Sequence, residues 1–170
     1  MFYILPNVNY GKDLNMSIPG APDFKYGNFV SSEIAIRNGI ANIPDAATWL
    51  KIEALAVDIL QPLRNKLGPI GINSGYRCEA LNTLAKSTNA SFHRTGGGAD
   101  LHPYNCSLMT LLEEAMKLPI SECIAEYFPN GWVHIGYLKN NSARALKLKD
   151  ATHNYVRIEL GALKALYKNV

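Results

Sequence analysis

The side chains richest in chemistry lie in two stretches, Ser91-Phe92-His93-Arg94-Thr95-Gly96-Gly97-Gly98-Ala99-Asp100 and, much later, Trp132-Val133-His134. Together they offer two imidazoles and a carboxylate, each beside a predicted turn or strand. Two nitrogens and one oxygen can hold a zinc ion and leave a fourth position open for water, which separates a catalytic zinc from a closed structural one. The chemistry that such a set supports is metal-assisted hydrolysis. Gly96, Gly97 and Gly98 let backbone approach backbone, so that His93 can fold back toward Asp100. No Gly-Lys-Ser/Thr follows them, so the run is not a phosphate loop. Taken alone, His93 and Asp100 also fit a flexible turn with a solvated imidazole and a capping carboxylate. His134 alone fits a satisfied core histidine.

The elements that must carry these residues can be read from periodicity and punctuation. Residues 1–27 hold Pro6, Gly11, Pro19, Gly20, Pro22 and Gly27 and read as an irregular N-terminal arm over a single domain spanning 28–170. Phe29 opens a helical stretch toward Arg37, with Gly39 as its stop. Asp45 caps a longer helix whose Trp49, Ile52, Leu55, Ile59 and Leu63 recur at helical spacing. Pro62 is expected to kink its last turn, and Gly68-Pro69 to end it. Ile70–Ser74 reads as a short buried strand, and Cys78 to Lys86 as a helix. A loop from Ser87 to Gly98 then leads into a strand at Ala99–His102. Ser107 caps a helix that ends near Pro119. Ile120–Tyr127 and Trp132–Leu138 read as a hairpin around Pro129-Asn130-Gly131. Weaker strands follow at Ala145–Lys149 and Tyr155–Leu160. The class is α+β, with a small antiparallel sheet carrying the site and helices flanking it.

With 170 residues, 48% of them hydrophobic and 18% charged, the chain can build one domain with a substantial core. The net charge of +3 is too small to argue for nucleic acid, and no run of Lys and Arg interleaves with aromatics. A mild basic surplus is compatible with an anionic polymer such as cell wall without selecting one. Cys78, Cys106 and Cys123 lack metal-binding spacing and, being odd in number, give no disulfide framework; reduced, packed thiols are expected. No apolar stretch approaches about 18 residues, so no membrane span is expected. The start Phe2-Tyr3-Ile4-Leu5 lacks a basic n-region and is too short for a signal h-region. Synthesis in the cytoplasm without a signal peptide is therefore expected, another factor carrying the protein to any target outside.

Several motifs taken together resemble one family. Ser74-Gly75-Tyr76-Arg77, Leu81-Asn82, Ser91-x-His93 with Asp100 seven positions on, and Trp132-Val133-His134 are similar to the zinc D-Ala-D-Ala carboxypeptidases of peptidase family M15, above all its short phage-type members. Phe29–Glu33 and Ile59–Arg64 look like that subgroup too, and the similarity covers roughly residues 28–160. In the family pattern Ser-x-His-x-x-Gly-x-Ala-x-Asp, the positions Ser91, His93, Gly96 and Asp100 match, while Gly98 replaces the alanine.

The resemblance implies a Hedgehog/DD-peptidase-like fold and one zinc ion held by His93, Asp100 and His134. It implies a hydrolase of peptidoglycan stem peptides, cutting next to a D-residue as a carboxypeptidase or an endopeptidase. The setting it suggests is a bacteriophage endolysin, a monomer acting on the cell wall. Arg77 carries over as the anchor for a substrate carboxylate or for peptide oxygens near the metal. A planar guanidinium suits that task through two parallel hydrogen bonds. Ser91 and Tyr76 carry over as substrate-binding candidates, although Ser91 also fits a plain loop serine and Tyr76 core packing.

Many relatives place an acid three positions before the last histidine, which here is Gly131. The short phage-type members instead carry a strand ending in Glu-Phe, which Glu126 matches as general base. A hairpin pairing residue 126 with residue 134, closed by a loop from Phe128 to Trp132, would set Glu126 and His134 on one face. Glu122, further back on that face, is the runner-up. His102 shares a strand face with Asp100 and is expected to be peripheral; His153 is expected to face solvent. The competing reading is a non-catalytic, metal-bearing cell-wall-binding or virion structural domain, kept open by the missing acid at 131.

Overall fold

A computed structural model describes residues 2–141, 145–149, 152 and 154–168. His153 lies outside the described residues.

The long helical segment is the scaffold for the rest. Asp45 caps it, its carboxylate accepting from the Thr48 N–H at 2.7 Å. Helix α3 (Ala46–Leu55) runs through a π-helical turn (Ala56–Leu60) into α4 (Gln61–Leu67). The kink expected at Pro62 takes the form of that widened turn. Proline lacks an N–H and crowds the carbonyl one turn back, and the extra residue per turn relieves both. Trp49, Ile52, Leu55, Ile59, Leu60 and Leu63 are all buried along one face. Each such burial contributes about 1.5–3 kcal/mol.

The segment expected to be irregular contains a two-stranded antiparallel pair, β1 (Ser17–Ile18) with β2 (Ala21–Lys25). Tyr10, Leu14, Ile18, Ala21 and Phe24 from this region lie in the main core. The indole N–H of Trp49 donates to the Tyr10 carbonyl at 3.0 Å. The single helical stretch expected from Phe29 is two short helices, α1 (Tyr26–Val30) and α2 (Glu33–Arg37), separated by extended backbone at Ser31 and Ser32.

The sheet has six strands: β3 (Ile70–Ser74), β4 (Gly98–Pro103), β5 (Glu122–Glu126), β6 (Trp132–Gly136), β7 (Ala145–Lys149) and β8 (Tyr155–Arg157). Their spatial order is β3-β4-β6-β5-β7-β8. The antiparallel expectation is corrected at one place, where β7 runs parallel to β5. One edge of β5 is already taken by its hairpin partner β6, so β7 adds to the other. Alternation divides the sheet into two faces. Ala99, Leu101, Cys123, Ala125, Val133, Ile135 and Leu146 are buried, with α7 (Leu108–Ala115) packed against β4, β5 and β6. Asp100, Glu122, Ile124, Glu126, His134, Lys147 and Lys149 alternate with them and share the opposite face.

The helices expected at 78–86 and from Ser107 are α5 (Glu79–Leu84) and α7. The loop expected at 87–98 contains a short helix, α6 (Phe92–Thr95), and the tail forms α8 (Leu160–Leu166). The three cysteines are free, and burial pushes the Cys123 thiol up to about 12. Among the described residues no helix is long and apolar enough to cross a membrane.

Candidate metal centre

Strand pairing brings two of the three candidate ligands together. Asp100 on β4 sits directly opposite His134 on β6, so both side chains rise from one sheet face. His93 arrives from α6. Its turn ends at Gly96, which has a left-handed φ of 82° that a β-carbon would strain. A β-carbon at Gly98 would lie 2.6 Å from the His93 nitrogen, so only glycine lets α6 fold onto β4 here. The glycine run therefore acts as the sequence suggests, by close approach.

The three side chains are buried and converge. His134 Nδ1 lies 2.8 Å from Asp100 Oδ1, His93 Nε2 lies 3.2 Å from the same oxygen, and the two ring nitrogens are 3.1 Å apart. Each can offer one ligand atom within 4.8 Å of the others. His93 Nδ1 lies 2.6 Å from the Gly75 carbonyl. A carbonyl can only accept, so Nδ1 carries the hydrogen and the Nε2 lone pair of the neutral ring faces the cluster. His134 turns Nδ1 inward, while its Nε2 lies 3.8 Å from a Glu122 oxygen. Burial holds the His93 pKa below its usual value. Burial also opposes the Asp100 carboxylate, yet the two imidazoles overcome it and hold that group well below the usual carboxylate range. Two imidazole lone pairs and one ionised carboxylate thus share a small buried volume. That donor set suits a borderline divalent cation such as zinc.

Arg77 is also part of this cluster. Its Nη2 donates to Asp100 Oδ2 at 2.8 Å and lies 3.2 Å from His93 Nε2, and its Nε donates to Ser74 Oγ at 3.0 Å. An irregularity in the β3–β4 pairing at Asn73 places Ser74 opposite Asp100 and so sets up this contact. The guanidinium expected to await a substrate carboxylate is already tied to a candidate ligand. Ser91, expected beside substrate, caps α6 instead: its hydroxyl accepts from the His93 N–H at 3.3 Å. Tyr76 lines a groove of about 670 Å³ that also includes Ser74 and Arg77. Burial raises its phenol pKa. His102 is peripheral; it stacks edge-on against Tyr104 and bonds the Asn73 side chain.

The hairpin register corrects one expectation. Glu126 pairs with Trp132, and Ile124 is the residue opposite His134. The expected pairing is off by two residues, which preserves the face, so Glu126 and His134 still project the same way. Glu126 is buried, and Lys149 Nζ donates to it at 2.9 Å. Glu122 is ion-paired with Lys147. A β-carbon at Gly131 would collide with the Glu126 carbonyl, so this hairpin has no room for an acid there. The sequence reading did not identify the Gly75 carbonyl, Ser74 or the two lysines. The placing of Lys147 and Lys149 on one face of an expected strand, as Glu122 and Glu126 are on theirs, was the available signal for the lysines.

A family model described as Peptidase M15 matches residues 22–136. The matched span begins in β2 and runs to the end of β6, and it contains all three candidate ligands, Arg77 and Glu126. No curated protein matches the chain.

Proposed function

Because the chain belongs to the peptidase M15 family, we propose that His93, Asp100 and His134 hold one zinc ion and that the protein cuts peptidoglycan stem peptides next to a D-residue. M15 peptidases are zinc-dependent and act on peptidoglycan-type substrates. The observation that carries the reading is the convergence of three buried donor atoms, with the outer nitrogen of each imidazole facing an acceptor, Gly75 O or Glu122. A zinc ion bound there supplies a Lewis acid and makes a coordinated water acidic near neutral pH.

The remaining work falls to the chain itself. Glu126 shares the sheet face of His134, and its carboxylate is the general base that accepts a proton and returns it to the leaving amine. Lys149 donates to that carboxylate at 2.9 Å and orients it. Glu122 lies 3.8 Å from the outer nitrogen of His134, beyond hydrogen-bond distance, and is ion-paired with Lys147; the base is assigned to Glu126. Arg77 braces Asp100 and presents its remaining guanidinium N–H groups toward peptide oxygens. We assign the domain a Hedgehog/DD-peptidase-like fold and a phage-type lytic role on the cell wall.

Zinc content and hydrolysis of defined muropeptides, followed by mass spectrometry, test the assignment together. His134→Ala is expected to lose both. Glu126→Gln is expected to keep zinc and lose turnover; turnover retained in that variant removes Glu126 as base. Zinc bound by the unaltered chain with no hydrolysis favours the non-catalytic, wall-binding reading.

A further inference from the structure

Strand β3 is the terminal strand of the sheet, and β4 is its one neighbour there among the described residues. An edge strand offers a row of backbone N–H and C=O groups to any extended chain laid beside it. Here that edge borders the groove of about 670 Å³, whose lining includes Ile72, Asn73 and Ser74 of β3, facing Asn28 and Ser31 at α1 and Ile34 on α2. The same groove reaches Arg77, which contacts both Asp100 and His93. Arg77 therefore stands between the groove and the metal centre. The groove's volume falls within the range of sites that bury a small-molecule-sized ligand.

Charge indicates how far an occupant extends. The charged residues of the lining are Arg77, Arg37 and Glu33. Arg77 is committed to Asp100 and Ser74. Arg37 is largely exposed, and its ion pair with Glu33 is long, at 3.7 Å. A substrate carboxylate is thus met at Arg37 on α2, and the peptide between Arg37 and the metal centre lies along β3. At about 3.4 Å per residue, Ile72–Ser74 alone flank about three substrate residues.

We propose that the groove is a strand-addition subsite: an extended, anionic peptide pairs with the free edge of β3 and enters the metal centre past Arg77, so that the bond cut is internal. This rests on the peptidase reading and selects its endopeptidase form.

The test uses the full chain and a synthetic stem pentapeptide ending in D-Ala-D-Ala. Binding to metal-free protein is followed by backbone amide shifts. The expected result is a set of shifts at Ile72–Ser74 and Ser31, and at least tenfold weaker binding in both Ile34→Trp, which fills the groove, and Arg37→Glu, which reverses its charge. Unchanged melting temperatures establish that both variants fold. Shifts confined to His93, Asp100 and His134, or no binding, overturn the subsite. Products of the zinc-loaded protein on a cross-linked wall digest decide the bond: fragments cut within the stem support the proposal, and release of terminal D-Ala alone overturns it. Peptide bound along β3 without any hydrolysis leaves the subsite standing and defeats the peptidase reading instead.

Discussion

Gly75→Ala tests how the fold holds its metal ligands. The Gly75 carbonyl accepts from His93 Nδ1 at 2.6 Å and is that ring's outer partner. A β-carbon at this position would sit 2.6 Å from the Phe29 carbonyl oxygen and 2.7 Å from the Phe29 α-carbon. That oxygen cannot yield freely, because it also accepts from the Tyr76 N–H at 2.7 Å. Reaching an ordinary contact of 3.4 Å requires the two backbones to part by about 0.8 Å, the difference between 3.4 and 2.6. A comparable displacement of the carbonyl breaks its bond to His93 and frees the ring to turn. Loss of such an outer partner weakens metal binding about 10- to 100-fold. The steric strain costs about 1–3 kcal/mol of stability. For a chain of this size that lowers Tm by roughly 2–12 °C. Zinc affinity is read by competition with a chelator, and stability by melting the metal-free protein. Gly27→Ala is the control, since the atoms nearest its β-carbon belong to the Phe2 ring, and it is expected to leave zinc affinity unchanged. If Gly75→Ala lowers Tm as expected yet binds zinc within twofold of the unaltered chain, the carbonyl does not position His93 and the reasoning is refuted.

Arg77→Lys keeps the charge but loses the fork that spans Asp100 and Ser74; about 1.5–3 kcal/mol of charge-assisted bonding is at stake, so kcat/KM is expected to fall about 10- to 100-fold. An unchanged value shows that the fork is dispensable. Ser91→Ala removes the cap of α6 and is expected to cost about 1 kcal/mol in denaturant titrations. An equal loss from Thr95→Ala, where no cap is lost, would argue against that cause. The metal-free protein is expected to weaken in acid. The folded pKa of His93 lies below 6.5, so the unfolded chain binds the proton first. The stability it contributes is present above about 6.5 and is lost as the pH falls toward the folded value. Asp100, depressed from 3.8, continues the loss below about 4. The urea midpoint of chelated protein at pH 5 should therefore lie below that at pH 7; an equal or higher midpoint contradicts the assignment.

The sequence by itself determined which atoms could meet a metal and on which kinds of element they ride. Residue type sets donor chemistry, and local periodicity sets helix, strand and face. Glu126 kept its predicted face although its partner moved from His134 to Trp132, because side-chain alternation repeats every two residues and tolerates a shift of two. Tertiary structure alone decided the rest. Only the parallel docking of β7 on β5 set Lys149 against Glu126 and Lys147 against Glu122. Only the irregular pairing at Asn73 turned Ser74 toward Arg77 and bound that guanidinium to Asp100. The N-terminal arm joined the core because Tyr10, Leu14 and Phe24 share one buried cluster with residues far along the chain, such as Trp49 and Ile52, which no local pattern of Pro and Gly reports. Register along a strand, the choice of sheet edge and the pairing of buried charges depend on contacts distant in sequence, and those exist only once the chain has folded.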